Sequence, residues 1–231
     1  GLAHELRQPL QAISLAVENA QIASEQYGDT ELERRLLRIA AQAERAGKVV
    51  EHLRRFARGA EDAAPLEPVR LDALVEETLL IAGGALRHAG ITVETDLGDP
   101  APVVRGQLVP LEQVLTNLLL NARDALTDRP KGAPRRIRIV ASVAAGGVAR
   151  LSVSDTGGGI APGVLRRLFE PFVTTKSAEV GTGLGLSICH GLAQAMGGTL
   201  EGANDEDGAV FTLTLSVWTV ADALAERAAA E

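Results

Sequence analysis

The chain has 231 residues, of which 46% are hydrophobic and only 3% aromatic, and its formal net charge is −7. The negative charge argues against a nucleic-acid-binding protein, because affinity for a phosphate backbone depends on clustered lysine and arginine. No run approaches the roughly 20 apolar residues of a membrane-spanning helix, and no signal peptide is visible. We therefore expect no membrane contact by this segment and a cytoplasmic location.

The single cysteine, Cys189, excludes an internal disulfide and fits a reducing compartment, where it is expected to be a small buried side chain. A helix is predicted to start at Gly1 with no capping residue before it, which indicates that sequence lies upstream. We expect a longer protein, which this upstream sequence could tether to the inner membrane. The signal that such a protein senses stays unknown.

Residues 1–60 are predicted to form a helical hairpin. Apolar side chains recur at alternating steps of four and three over 6–20 and again over 32–57, which is the spacing of a heptad seam. A polar break at 27–30 separates the two helices. One seam per helix cannot cover both sides of a hairpin, so we expect a homodimer that forms a four-helix bundle. Packing against another part of the same chain is the alternative.

The composition changes after the hairpin. Residues 61–69 are small, charged and proline-bearing, as in a linker. From 70 to 219 helix and strand patterns are mixed and predict an α+β sandwich, and 220–231 is an alanine-rich tail that could be helical or frayed. Within the sandwich, helices are predicted over 71–88, 108–126 and 183–196, and strands over 91–97, 103–104, 135–144, 148–155, 199–202 and 210–217.

A histidine near the start of the first helix faces away from the predicted core. His4 lies about 160° around the helix from the seam residue Leu6. The adjacent Glu5 could accept a hydrogen bond from one ring nitrogen and leave the other nitrogen free as a nucleophile. Gln8, one turn further, could orient a water molecule for attack on a phosphoryl group. An ordinary solvated histidine is the alternative.

The helix predicted over 108–126 is apolar on nearly every side except for one polar stripe. Asn117, Asn121 and Asp124 stand on it at i, i+4 and i+7. Buried amides are costly without partners. The stripe therefore predicts either a cap or a buried water, or ligands for a hard cation such as Mg²⁺ together with its phosphates.

An acidic residue and two glycines follow the strand predicted over 148–155. Asp155 shares a strand face with core residues, so its carboxylate points inward, where it could accept a hydrogen bond from an exocyclic amine such as that of adenine. Gly157 and Gly159 would then let a ligand approach the backbone. A glycine turn closed by an Asx-type hydrogen bond from Asp155 is the alternative.

A second glycine-rich segment opens the helix predicted over 183–196. Its residues are Gly181, Thr182, Gly183, Leu184 and Gly185. Free N–H groups at a helix start suit phosphate, whereas the spacing is not that of a dinucleotide-binding fingerprint. The polar segment before it could be a mobile lid, anchored by Phe169 and Phe172, whose Lys176 meets phosphate.

The order of these motifs resembles that of the sensor histidine kinases of two-component systems. The resemblance spans nearly the whole chain: an H box at 4–10, an N box at 117–125, a G1 box at 155–159, an F box at 169–172 and a G2 box at 181–185. It implies a dimerisation and histidine-phosphotransfer hairpin. A catalytic ATP-binding domain of the Bergerat type, an α/β sandwich shared with gyrase and its superfamily, would follow.

The resemblance also implies a role for each matched residue. His4 would accept the phosphoryl group with Glu5 as its acid–base partner, Asn121 would bind Mg²⁺ with support from Asn117, and Asp155 would read adenine. The other nucleotide-binding candidates are Arg123, Asp124, Gly157, Gly159, Lys176, Gly181, Thr182, Gly183, Leu184 and Gly185.

These roles imply an ATP-dependent kinase that autophosphorylates His4 and transfers the phosphoryl group to an aspartate of a response-regulator receiver domain. Gln8 stands where many members of the family carry threonine or asparagine, so phosphatase activity toward the regulator stays open. The identity of the regulator and transfer within or across the dimer also stay open.

An ATP-driven clamp of the same superfamily is one rival function, although Glu112 lies off the expected stripe. A scaffold that has lost ATP is the other.

Overall fold

The structure is a computed structural model. It describes residues 10–18, 20–22, 31–32, 34–37, 39–40, 43, 46–47, 65–130, 132–174, 183–219 and 221–222. The chain divides into two compact units, Gly1–Asp62 and Ala63–Glu231. The candidate residues that lie outside the described residues are His4, Glu5, Gln8, Lys176, Gly181 and Thr182.

The first unit is helical at every residue that the structure describes. Val17, Leu36 and Ala43, which are seam positions of the predicted hairpin, are buried. Ile13 and Ile39 belong to the same seams, yet their side chains are 44% and 47% exposed. A single copy of the chain therefore covers only part of its apolar seams.

The second unit contains seven strands and four helices within its described residues. They are β1 (Glu67–Arg70), α1 (Leu71–His88), β2 (Thr92–Asp96), β3 (Val103–Gly106), α2 (Leu108–Thr127), β4 (Arg136–Ala144), β5 (Val148–Asp155), α3 (Pro162–Leu165), α4 (Gly185–Ala195), β6 (Thr199–Asn204) and β7 (Ala209–Ser216). Five strands form one sheet in the order β2-β4-β5-β7-β6, in which only the pairing of β2 with β4 is parallel. Strands β1 and β3 form a separate antiparallel pair.

One face of the five-stranded sheet is covered by helices. Its buried residues include Ile137 and Ile139 of β4, Leu151 and Val153 of β5, and Phe211, Leu213 and Leu215 of β7. Helix α2 contacts α1, α4 and the sheet. On β2 and β4, exposed charges pair across the strands, with Arg136 lying 3.8 Å from Glu94 and Arg138 lying 3.9 Å from Asp96. The unit is therefore the predicted α/β sandwich, with one apolar and one polar sheet face.

Most predicted elements recur with bounds shifted by only a few residues, and the helix predicted over 71–88 is α1 without change. The main difference is β1, because its residues 67–69 belong to the linker that the sequence predicts over 61–69. Pro68 lies in β1 and pairs with Arg105 of β3. Proline is tolerated there because β1 has a partner on one side only.

Asp222, near the start of the tail predicted over 220–231, attaches to the sandwich. The Trp218 N–H donates a hydrogen bond to the Val103 carbonyl at 2.8 Å. The Thr219 N–H and hydroxyl both donate to Asp222 Oδ2 at 2.8 Å, and this carboxylate also pairs with Arg105 at 3.1 Å. Hydrogen bonds from Thr219 are the main cause that lowers the pKa of Asp222. Residues 223–231 lie outside the described part of the chain.

Among the described residues, no helix combines the length and the apolar composition that crossing a membrane requires.

Two leucines of α1 provide a test of this packing. Leu74 is 0% exposed and Leu80 is 78% exposed. We expect Leu74→Ala to lower the free energy of unfolding by about 2–5 kcal/mol, because it removes buried methyl groups and leaves a cavity. Leu80→Ala should change it by less than about 0.5 kcal/mol. Urea unfolding followed by circular dichroism measures both, and equal losses would contradict the described face of α1.

Candidate functional site

A cavity of about 390 Å³ brings together residues from α2, the loop after β5 and the start of α4. Six of the residues predicted from the sequence line it. They are Asn117, Asn121, Asp155, Gly159, Gly183 and Gly185. These segments are far apart in the chain and meet because α2 contacts both the sheet and α4.

Helix α2 lines the cavity with Asn117, Asn121 and Ala125, and Asp128, the residue just after the helix, joins them. These positions follow steps of four, four and three, so they lie on one helical stripe. Asp124, the predicted third member of the stripe, does not line the cavity.

Asp124 instead pairs with the adjacent Arg123. The Arg123 guanidinium donates to Asp124 Oδ1 from Nε at 2.9 Å and from a terminal nitrogen at 2.7 Å. Arg123 does not line the cavity either. The structure therefore does not bring these two predicted nucleotide-binding residues to the cavity. Asp124 fits the helical spacing of the asparagine stripe, but its carboxylate pairs with Arg123 and does not face the cavity.

Asp155 ends β5 with its carboxylate turned into the protein, and its side chain is only 6% exposed. Its Oδ1 accepts a hydrogen bond from the Gly157 N–H at 2.7 Å and a longer one from the Ala209 N–H at 3.5 Å. Burial raises the pKa of Asp155, and these two hydrogen bonds oppose the rise. Because both contacts use the same oxygen, the carboxylate keeps capacity to accept from a ligand.

The contact between Asp155 and Gly157 is the Asx-type turn that sequence reasoning held as an alternative. It coexists with the cavity, since Asp155 takes part in both. Gly157 does not line the cavity itself. Its N–H donates to the carboxylate of Asp155, which does line the cavity.

The start of α4 forms another wall of the cavity through Gly183, Gly185 and Leu186. Leu184 precedes the helix with its side chain buried, and it does not line the cavity. The first N–H groups of a helix have no helical acceptor and carry the positive end of its dipole. This wall therefore suits an anion.

The backbone at Gly183 crosses that of Phe172. The Phe172 N–H donates to the Gly183 carbonyl at 2.9 Å. Gly183 has a φ of +64°, and a Cβ there would lie 2.5 Å from the Phe172 carbonyl carbon. The Phe172 ring is 61% exposed, so this residue is held by its backbone, whereas Phe169 stacks on His190 with ring centroids 4.7 Å apart.

Cys189 is fully buried, as expected for a small apolar side chain. Burial raises the pKa of its thiol to about 12, and a hydrogen bond from the Asn117 side chain opposes this rise. Asn117 therefore contacts α4 while also lining the cavity. A Cβ on Gly185 would lie 3.8 Å from Asn117 Oδ1, which puts this oxygen beside the start of α4.

The side chains that could meet a cation here are mainly neutral oxygen donors. No cluster of three or more His, Cys, Asp or Glu in the described residues could hold a metal ion. The carboxamides of Asn117 and Asn121 line the cavity together. This donor set fits a hard cation such as Mg²⁺, which is commonly held by few protein groups and by substrate phosphates.

Sequence reasoning missed two polar residues at this site. Asp128 lines the cavity from the C-terminal end of α2, and continuing the asparagine stripe by one more turn would have found it. Asn204 does not line the cavity, but it holds the loop that does. Its partner is 44 residues away in the sequence, so no local pattern indicated it.

Two protein-family models match the chain. The model described as "His Kinase A (phospho-acceptor) domain" matches residues 1–62, and that described as "Histidine kinase-, DNA gyrase B-, and HSP90-like ATPase" matches residues 106–219. The two matches follow the order that the motifs predicted.

Similar proteins agree with these matches. The chain is 43% identical over 228 residues to the two-component sensor PprA of Pseudomonas aeruginosa, covering 96% of this chain and 24% of the relative. It is 37% identical over 215 residues to the C4-dicarboxylate transport sensor protein DctB of the same organism, covering 93% and 34%. The chain thus spans only about a quarter to a third of the length of these curated relatives.

A solved structure is similar over nearly the whole chain. Full-length ShkA in complex with AMPPNP has a TM-score of 0.73 and 26% identity, covering 95% of this chain and 45% of that one.

The raised pKa of Asp155 predicts how stability depends on pH. A carboxyl whose pKa is higher in the folded protein contributes stability that is full below its ordinary value of 3.8 and is lost as pH rises through the folded pKa. In Asp155→Asn this loss of stability is absent, because the amide side chain has no carboxyl proton to lose. We expect the wild type to lose stability relative to the variant as the pH rises from below 3.8 toward neutral. Urea unfolding of both proteins without ligand across this range measures the difference, and a constant difference would contradict the burial effect.

Proposed function

Because the chain belongs to the sensor histidine kinases of two-component systems, we propose that it is a kinase core that uses ATP to phosphorylate His4. The phosphoryl group then passes to an aspartate of a response-regulator receiver domain. The observation that carries this proposal is the cavity in which a buried carboxylate, two asparagines and a helix start meet.

The cavity has two chemically different ends, which α2 holds apart. Asn117 lies beside the start of α4. Eight residues further along the same helix, Ala125 lies against the loop of Asp155, since a Cβ on Gly157 would be 2.9 Å from Ala125 Cβ. At 1.5 Å per residue, these ends are separated by about 12 Å along the helix axis. An acceptor for the adenine amine at one end and anion-binding N–H groups at the other match a nucleotide in extended form.

The proposed chemistry needs little from the protein beyond positioning and charge stabilisation. A ring nitrogen of His4 attacks the γ-phosphorus in line with the leaving oxygen, so that a nitrogen–phosphorus bond forms and ADP departs. Glu5 accepts a hydrogen bond from the other ring nitrogen and stabilises the charge that develops on the imidazole. The N–H groups at the start of α4 stabilise charge on the phosphates.

Mg²⁺ belongs to this proposal as the cation held by Asn121, with Asn117 in support. When bound, it neutralises charge on the phosphate oxygens. The two carboxamides fit this task because they are neutral and lie on adjacent turns of one buried helix. They leave most ligand positions to phosphates and water.

The proposal includes a homodimer through the first unit. Ile13, Leu32 and Ile39 lie on the predicted seams and are 44%, 43% and 47% exposed in one copy. A second copy would cover these apolar side chains. The receiver domain would dock on the hairpin below His4, and Gln8 could orient water for removal of phosphate from the regulator. We also propose a cytoplasmic location for this segment.

A pair of variants tests the two ends of the cavity. Asn121→Ala should weaken Mg²⁺-dependent ATP binding by about 10- to 100-fold, a range typical of lost metal-site interactions, while adenosine binding stays unchanged. Asp155→Asn should weaken adenosine and ATP alike, because the amide oxygen stays bonded to the Gly157 N–H and the NH2 group then sets a donor against the exocyclic amine of the base. Calorimetric titrations with and without Mg²⁺ separate the two effects. A loss of adenosine binding in Asn121→Ala would contradict the assignment of the ends.

Labelling with γ-labelled ATP tests the phospho-acceptor. The wild type should gain a label that is lost in acid and stable in base, as expected of a phosphohistidine, and His4→Gln should gain none. His88→Gln is the matched control, because His88 is an exposed histidine in the last turn of α1, and it should label as the wild type does. Persistent labelling of His4→Gln would overturn the proposal.

A further inference from the structure

Asn204, the last residue of β6, holds the loop after β5 with both polar atoms of its side chain. Its Oδ1 accepts a hydrogen bond from the Ile160 N–H at 2.8 Å, and its Nδ2 donates to the Ile160 carbonyl at 2.8 Å. In an antiparallel ladder, a strand residue likewise accepts from the N–H and donates to the carbonyl of the residue opposite it. The carboxamide therefore takes the place of a backbone partner for Ile160, which lies outside the strands.

The loop is shaped to receive this carboxamide. Gly159 has a φ of +82°, and a Cβ there would lie 3.0 Å from Asn204 Cγ and Oδ1 and 3.2 Å from Nδ2. Any larger residue at position 159 would strain the backbone and press on the carboxamide. Gly159 and Asn204 thus fit each other by close contact as well as through the adjacent hydrogen bonds.

The held loop is a wall of the cavity. Gly159, Ile160 and Ala161 all line it, together with Asp155. Asn204 does not line the cavity, so it can act on a ligand only through this loop.

The turn that follows Asn204 leads to a hydrogen bond with Asp155, so the end of β6 is linked to this carboxylate as well as to the loop. The Asp205 N–H donates to the Gly208 carbonyl at 3.0 Å, and Asp205 Oδ1 accepts from the Gly208 N–H at 2.8 Å. The next residue, Ala209, donates its N–H to Asp155 Oδ1. The β6–β7 turn therefore holds the carboxylate on one side while Asn204 holds the loop on the other.

We propose that Asn204 is a positioning residue that sets the affinity of the cavity for the base of a nucleotide by fixing residues 159–161 beside Asp155. This inference rests on the proposed nucleotide-binding function. It assigns to Asn204 no contact with the ligand and no part in phosphoryl transfer. We call the two hydrogen bonds between Asn204 and Ile160 the clamp. Loss of the clamp frees both polar groups of Ile160 to bond with water and lets residues 159–161 move away from the base, whereas the start of α4 stays in place.

The test compares Asn204→Ala and Asn204→Asp with a control in the full chain. The Asp side chain still accepts from the Ile160 N–H but sets an acceptor against the Ile160 carbonyl, so it should restore little or no affinity. Thr212→Val is the control, because it removes a hydrogen bond between side chains of β5 and β7 (3.1 Å to Ser152) and Thr212 does not line the cavity.

We expect both Asn204 variants to bind adenosine and ATP about 10-fold more weakly by calorimetry, by the same factor for both ligands, as lost hydrogen bonds of ordinary strength imply. The KM for ATP in autophosphorylation should rise by that factor while kcat at saturating ATP stays unchanged, because the lost interaction is equal in ground and transition states. Thr212→Val should bind both ligands as the wild type does.

Three results would overturn the proposal. Unchanged affinities in Asn204→Ala, with a lower free energy of unfolding, would mean that the clamp serves stability alone. A loss for ATP without a loss for adenosine would mean that the loop acts at the phosphate end. A wild type that binds neither ligand would refute the proposed function itself, and with it this role. Hydrogen exchange at the Ile160 amide, fast in Asn204→Ala and slow in Asn204→Asp, verifies in the same samples that the clamp was changed as intended.

Discussion

The burial of α2 is the constraint on which the second unit depends. Leu111, Leu115, Leu119 and Leu126 are at most 1% exposed, and the helix contacts α1, α4 and the sheet. A helix surrounded in this way has no freedom to rotate, because any turn would expose leucines and bury amides. Its asparagine stripe faces the cavity, so the packing of α2 fixes where the side chains of Asn117 and Asn121 stand.

The cavity keeps a group that folding alone would not favour. Burial raises the pKa of Asp155, so the ionised carboxylate costs stability at neutral pH. Hydrogen bonds from two backbone N–H groups offset part of this cost. A carboxylate in an apolar place with unused acceptor capacity is the feature expected at a ligand site.

Much of the second unit could be predicted because its elements are periodic. Helix α1 has the predicted bounds, and the paired strands β4 and β5 alternate buried and less buried residues as expected. Elements without a local signal were missed: β1 contains a proline, and its only partner is β3. The stripe on α2 was predicted with Asp124 as a member, yet Asp124 pairs with Arg123 while Asp128 lines the cavity. The helical period allows either Asp124 or Asp128 to extend the stripe, and it carries no information about the ion pair that turns Asp124 toward Arg123.

The sequence by itself determined most of the helices and strands, the family and the residue types available for the chemistry, because periodicity and motif order are properties of short segments. Only the tertiary structure decided which of those residues share a cavity. Asn117 meets α4, Asp155 meets Ala209, and Asn204 clamps a loop 44 residues away. Contacts of this kind depend on how the helices and the sheet pack, and close packing in three dimensions leaves no mark on the local pattern of the chain.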